Sequence, residues 1–229
     1  MTSETKITTK LEGVRSEIVA AANEVGRDPD SVSLIAVSKS QPQELVVAAL
    51  RSGHRVFGEN RIQEAKGKWL ALKDAYPDCI LHLIGPLQSN KAGDAVALFD
   101  IIQTLDREKL AQILAREMDR QDRRPEVFVQ VNTGEEPQKN GVLLGEVDAF
   151  IEKCRGEYSL PVVGLMCIPP IGENAALHFA LLGEIADRND LSRLSMGMSA
   201  DYQTGVRLGA TEVRVGTAIF GIRIAGVKQ

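Results

Sequence analysis

The sequence predicts an α/β fold, a single (β/α)8 barrel with an extra N-terminal helix, and three observations carry that prediction. Eight apolar strand-like runs alternate strictly with segments of helical periodicity across 229 residues. No Pro/Gly/Ser-rich linker divides them. The turn after the first strand, Ser38-Lys39-Ser40-Gln41-Pro42, holds no glycine, which an open nucleotide-binding sheet needs there. The whole chain, 1–229, therefore reads as one barrel domain.

A helix at 4–25 comes first, with Leu11, Val14, Ile18, Ala21 and Ala22 on one stripe, and Gly26 and Pro29 end it. It is placed either across the lower end of the barrel or in a weak dimer contact. The strands follow at 33–38, 54–57, 80–84, 100–104, 126–131, 162–167, 191–195 and 212–216. Helices fall between them at 42–52, 60–73, 89–97, 106–120, 142–155, 172–188 and 201–208. Runs such as Val127-Phe128-Val129-Gln130-Val131 are nearly all apolar, as strands covered on both faces are.

Composition removes several function classes. The net charge is −4 and aromatics make up 4% of residues, which supplies neither a phosphate-binding basic face nor stacking platforms for nucleic acid. No stretch approaches the ~20 apolar residues that cross a bilayer. Cys79, Cys154 and Cys167 lie far apart, without a CxxC pair, and there is no signal-like segment. The expectation is a reducing, cytoplasmic setting. His54, His82 and His178 are too dispersed for a metal site.

In such barrels the chemistry gathers at the C-terminal ends of the strands. Lys39 ends the first strand on the same parity as Ile35 and Val37. It is either a solvated strand end or an amine turned inward, where desolvation favours the neutral, nucleophilic form. Arg214 lies between valines in the last strand and must find an acceptor. That acceptor is either a carboxylate such as Glu59 or a ligand heteroatom. Gly216-Thr217 after strand eight and Ser199 after strand seven are either turn and cap residues or the two sides of an anion cradle. An amine, an arginine and an anion cradle at one mouth suit a phosphorylated aldehyde. Two classes fit: a phospho-sugar aldolase, or a protein of pyridoxal 5′-phosphate (PLP), whose ring nitrogen gives Arg214 a partner.

Several blocks then carry a resemblance: Leu34-Ile35-Ala36-Val37-Ser38-Lys39, Phe57-Gly58-Glu59-Asn60, His82-Leu83-Ile84-Gly85-Pro86-Leu87-Gln88-Ser89-Asn90-Lys91, Gly164-Leu165-Met166, Leu194-Ser195-Met196-Gly197-Met198-Ser199 and the segment from Val213 to Gly221. Together they resemble the PLP homeostasis proteins, the YggS/PROSC family. The resemblance implies a fold-type III PLP barrel, like the N-terminal domain of alanine racemase without its second domain. It implies PLP as a covalent aldimine on Lys39, Arg214 at the pyridine nitrogen, Ser199, Gly216 and Thr217 at the phosphate, and Asn60 in the pocket wall. The chain departs from the family pattern at three places. Gln41 replaces a second lysine after Lys39, Asn140 follows Lys139, and Ala200 replaces a common acidic residue.

The function this implies is PLP homeostasis: buffering or delivering the cofactor, with PLP-dependent apo-enzymes as receivers and an indirect effect on amino-acid and keto-acid balance. No turnover is expected, because the chain ends about eight residues after its last motif and leaves no room for a racemase's second domain. The alternative is a small PLP-dependent amino-acid racemase or lyase with Lys91 or Lys139 as its base. A monomer or weak dimer is expected.

Overall fold

Parallel pairing runs around eight strands and closes, as β8 returns to β1. The strands are β1 Ser33–Val37, β2 Val56–Glu59, β3 Ile80–Leu83, β4 Ile101–Leu105, β5 Glu126–Val131, β6 Val162–Cys167, β7 Arg193–Met198 and β8 Glu212–Val215. The structure is a computed structural model and describes residues 2–221, so the domain expected over 1–229 runs past both ends of that range. The helices are α1 Ser3–Glu24, α2 Gln43–Arg51, α3 Ile62–Ala75, α4 Ala92–Leu98, α5 Glu108–Gln121, α6 Val147–Gly156, α7 Ala175–Arg188, α8 Tyr202–Arg207 and α9 Thr217–Phe220.

Strand parity sorts the core into two parts. Leu34, Ala36, Val127, Val129, Val213 and Val215 belong to the large apolar cluster that joins the strands to the surrounding helices. Ile101, Phe128 and Met166 form a separate cluster within the barrel. At one interior end, Arg193 lies over the Phe128 ring at 5.0 Å and pairs with Glu212 at 2.5 Å. This alternation explains the nearly unbroken apolar runs, since both faces of every strand are covered.

The N-terminal helix does not cover an end of the barrel. α1 packs along its flank against α2, α8 and α9, and Leu11, Val14, Ile18, Ala21 and Ala22 are all buried there. Glu17 accepts hydrogen bonds from Tyr202 and, at 2.7 Å, from Gln203 Nε2, while Arg207 Nε donates to Glu24 at 2.6 Å. The apolar stripe is therefore filled within the chain and unavailable to a second copy. Gly26 ends α1 in the left-handed region at φ +68, as the sequence predicts.

Two strands sit later than expected. β2 begins at Val56 because Gly53, at φ +88, turns the chain after α2 and the His54 ring is buried beside the new strand. Its Nε2 donates to the Val56 carbonyl at 2.7 Å, and its edge meets Phe57 at 5.1 Å. β7 runs on to Met198, which pairs with Arg214 after a register shift. The Met196-Gly197-Met198 segment is thus strand, although its glycine reads as a loop. The segment 132–146 is mostly loop, with Val142 bridging to Val131, so α6 starts at Val147 rather than 142. Asn174 caps α7, its Oδ1 accepting from Ala176 N–H at 3.1 Å, which moves that start from 172 to 175.

Candidate functional site

The turn after β1 is gripped from outside by α3. Ser38 is fully buried, and its Oγ donates to Glu59 Oε1 at 2.7 Å. Lys68 Nζ donates to the Ser38 carbonyl at 2.8 Å and to the same Glu59 oxygen at 2.9 Å. Trp69 Nε1 donates to that oxygen at 3.0 Å. One residue past Lys39, Ser40 adopts a left-handed φ of 56, and its N–H donates to Glu64. Lys39 is half-buried between these two fixed neighbours. Holding a serine in that region costs about 1 kcal/mol or more, so the turn stays in shape because α3 over-determines it.

Arg214 departs from one of its two expected partners. It does not reach Glu59, whose Oε1 is taken by Ser38, Lys68 and Trp69. It is 4% exposed, and its acceptors are both neutral: Ser195 Oγ at 2.6 Å from Nη1 and the Cys167 carbonyl at 2.8 Å from Nη2. The carboxylate on the neighbouring inward position, Glu212, pairs with Arg193 instead. Burial pushes the Arg214 guanidinium below its ordinary range, but its intrinsic basicity keeps it charged. Burial also raises the Cys167 thiol to about 12, so it stays protonated. The result is a buried cation with no hydrogen-bonded counter-ion among the described residues.

The ends of β7 and β8 do come together. Ser199 Oγ accepts from Gly216 N–H at 3.4 Å, and Thr217 opens α9 directly afterwards. A Cβ on Gly216 would stand 3.3 Å from the Val37 carbonyl, so this pair lies beside the end of the strand that leads to Lys39. Ser199 also borders a cleft of ≈ 350 Å³ between α1 and α8, lined by Lys10, Glu17 and Asp201 among others. On the other side of Lys39, Asn60 has a buried Oδ1 without a hydrogen-bond partner. The Asn60 backbone is packed so closely that a Cβ on Gly85 would fall 2.3 Å from its carbonyl oxygen. A buried acceptor left open at a mouth is a place for a ligand donor. Lys139 Nζ is tied to Glu136 at 2.5 Å.

These residues fit PLP by the chemistry of their donor set. An amine stands for the aldehyde, a buried guanidinium with neutral hydrogen-bond acceptors for the ring nitrogen, and a hydroxyl beside a glycine N–H for the phosphate. The alanine racemase N-terminal domain family matches residues 11–224. A pyridoxal phosphate homeostasis protein of Pseudomonas aeruginosa is 42% identical over 218 residues, covering 93% of this chain and 94% of that protein. One from Vibrio alginolyticus is 38% identical over 223 residues, covering 93% and 96%. The chain belongs to the pyridoxal phosphate homeostasis proteins. Within that family, PipY of Synechococcus elongatus, solved with PLP bound, superposes with a TM-score of 0.81 at 37% identity, covering 94% of this chain and all of that one. Alanine racemase from Bartonella henselae, 16% identical with a TM-score of 0.72, shares the barrel fold.

Four side chains that structure the site do not stand out in the sequence. Lys68 and Glu64 are ordinary helix-face charges by pattern, and only the fold brings them under the Lys39 turn. Ser195 and Gln103, both fully buried, sit inside apolar strands. A polar residue on the inward parity of such a strand was the available signal for both.

Proposed function

We propose that this chain binds PLP as a Schiff base on Lys39 and buffers or delivers the cofactor without turning over a substrate. The observation that carries this reading is Arg214: a buried guanidinium with neutral acceptors alone, on the strand whose next turn holds Gly216 and Thr217. PLP supplies an aldehyde for an amine and a pyridine ring that draws electrons from whatever is bonded to it. A guanidinium facing the ring nitrogen has no acceptor and gives up no proton, so it keeps that nitrogen unprotonated and the ring a weak electron sink. Ser199, Gly216 and Thr217 hold the phosphate, and Asn60 lines the pocket. The likeness to PLP-bound PipY supports the same reading.

The protein acts as one barrel in the cytoplasm, and PLP-dependent apo-enzymes receive its cofactor. Among the described residues no helix is long and apolar enough to cross a membrane. Lys139, one of two bases a racemase or lyase could use, is paired with Glu136 at 2.5 Å. Incubation of the PLP-loaded protein with L-amino acids in deuterated water tests this. The expected result is α-proton exchange no faster than with free PLP. Exchange far above that rate identifies an enzyme and overturns the homeostasis reading.

A further inference from the structure

A polar line crosses the inside of the barrel and ends at Arg214. Arg214 Nη1 stands 2.6 Å from Ser195 Oγ, Ser195 Oγ stands 2.7 Å from Gln103 Oε1, and Gln103 Nε2 stands 2.9 Å from His82 Nδ1. The four side chains are buried and come from β8, β7, β4 and β3.

Every proton in this line has a forced direction. A guanidinium has donors and no acceptor, so Ser195 accepts from Arg214 and offers its own proton to Gln103. The Gln103 carbonyl oxygen takes that proton, which turns the amide N–H toward His82. His82 then accepts at Nδ1 and carries its proton on Nε2. Burial, with Arg193 nearby, pushes this imidazole down to about 3, which keeps the ring neutral.

Stability does not account for such a line. Apolar residues of similar volume fill a barrel without needing partners, whereas one unsatisfied member of a buried network is costly. Anchoring on a carboxylate is also available nearby, yet Glu212 is held by Arg193. The interior instead gives Arg214 a neutral anchor, which fixes its orientation without a hydrogen-bonded carboxylate among the described residues.

We propose that His82, Gln103 and Ser195 are positioning residues for Arg214, a one-way hydrogen-bond chain that sets the guanidinium plane and leaves its remaining N–H groups to the ring nitrogen of the cofactor. This rests on the PLP reading of the mouth. Ser195→Ala and Gln103→Met break the chain at two points, and Ser195→Thr keeps the hydroxyl. In the full-length protein both breaking variants should still take up PLP. The Kd should rise about tenfold in Ser195→Ala, the size of one lost hydrogen bond to a charged group, and about threefold in Gln103→Met, which loses only neutral ones. The absorption maximum of the bound cofactor should shift, which a merely structural role would not cause, and Ser195→Thr should restore both values. Wild-type affinity and an unshifted maximum in both breaking variants overturn the proposal. If they fail to fold, ¹⁵N NMR of the wild-type protein decides: a proton on His82 Nε2 supports the chain, and one on Nδ1 overturns it. A wild-type protein that takes up no PLP sinks the reading of the mouth and this role together. Uptake with unchanged variants sinks the role alone.

Discussion

Lys68 and Glu59 form a buried ion pair, 2.9 Å between Nζ and Oε1 with side chains 8% and 0% exposed, directly against the turn that carries Lys39. The pair does two jobs, because Lys68 also holds the Ser38 carbonyl and Glu59 also holds the Ser38 hydroxyl. Lys68→Met leaves the Glu59 carboxylate buried without its cation. Breaking one side of such a pair costs about 3–5 kcal/mol, to be read from urea unfolding. The double variant Lys68→Met/Glu59→Leu should lose less than the sum of the two single losses, since it strands no charge. Additive losses contradict the coupling.

The loop that holds Ser199 depends on Gly197. At φ +92 a side chain is strained, and a Cβ there would stand 2.8 Å from Tyr202 Cα. Gly197→Ala should cost about 2 kcal/mol or more and weaken PLP binding. Gly172, at φ +87, has open space around it and serves as the control. Gly172→Ala carries the backbone strain alone, about 1 kcal/mol, and should leave binding intact. Equal losses at both sites remove the argument from the Tyr202 contact.

Much of this fold is legible in the sequence because barrel strands are covered on both faces and so read as continuous apolar runs. The eight strands follow from that pattern, and the α1 stripe from helical periodicity. Periodicity identifies the buried face of α1 but not its partner, so its seat on α2, α8 and α9 is a tertiary fact. Gly197 reads as a loop because its reason, a left-handed φ and a close approach to the backbone of Tyr202, leaves no mark in the residue pattern. Arg214 stands out as a guanidinium among valines, but its partners do not. Glu59 is on the outward parity of β2 and Arg214 on the inward parity of β8, a distinction lost when the strand is read as 54–57 and Glu59 falls beyond its end. Ser195, Gln103 and His82 are single polar letters in apolar strands. Only closure of the barrel brings them into line.

Acid should destabilise the protein before its carboxylates titrate. Burial holds His54 neutral, with its titration lowered to about 4, and holds His82 lower still, at about 3. In the unfolded chain both titrate near ~6.5, so between that pH and about 4 the unfolded state binds more protons. The stability these two rings contribute is complete above that range and is lost as pH falls through it. From pH 7 to pH 5 each imidazole should remove about 2 kcal/mol. Chemical denaturation of His54→Gln should show a drop smaller by that amount, and an unchanged drop contradicts the assignment.

The flank position of α1 predicts which of its residues matter. Leu11 is 1% exposed within the packed stripe, and Val19 is 42% exposed. Leu11→Ala should cost about 2–4 kcal/mol and Val19→Ala no more than about 0.5 kcal/mol by thermal or urea unfolding. Similar effects at the two positions would place the stripe elsewhere.

The central claim is that Lys39, and no other amine of this chain, holds PLP. Borohydride reduction of the PLP-loaded protein fixes the imine, and peptide mass spectrometry then locates the pyridoxyl group. The label should appear on the peptide carrying Lys39, stoichiometric with protein and absent in Lys39→Ala together with the visible absorption band. A label on another lysine, or a band that survives in Lys39→Ala, contradicts it.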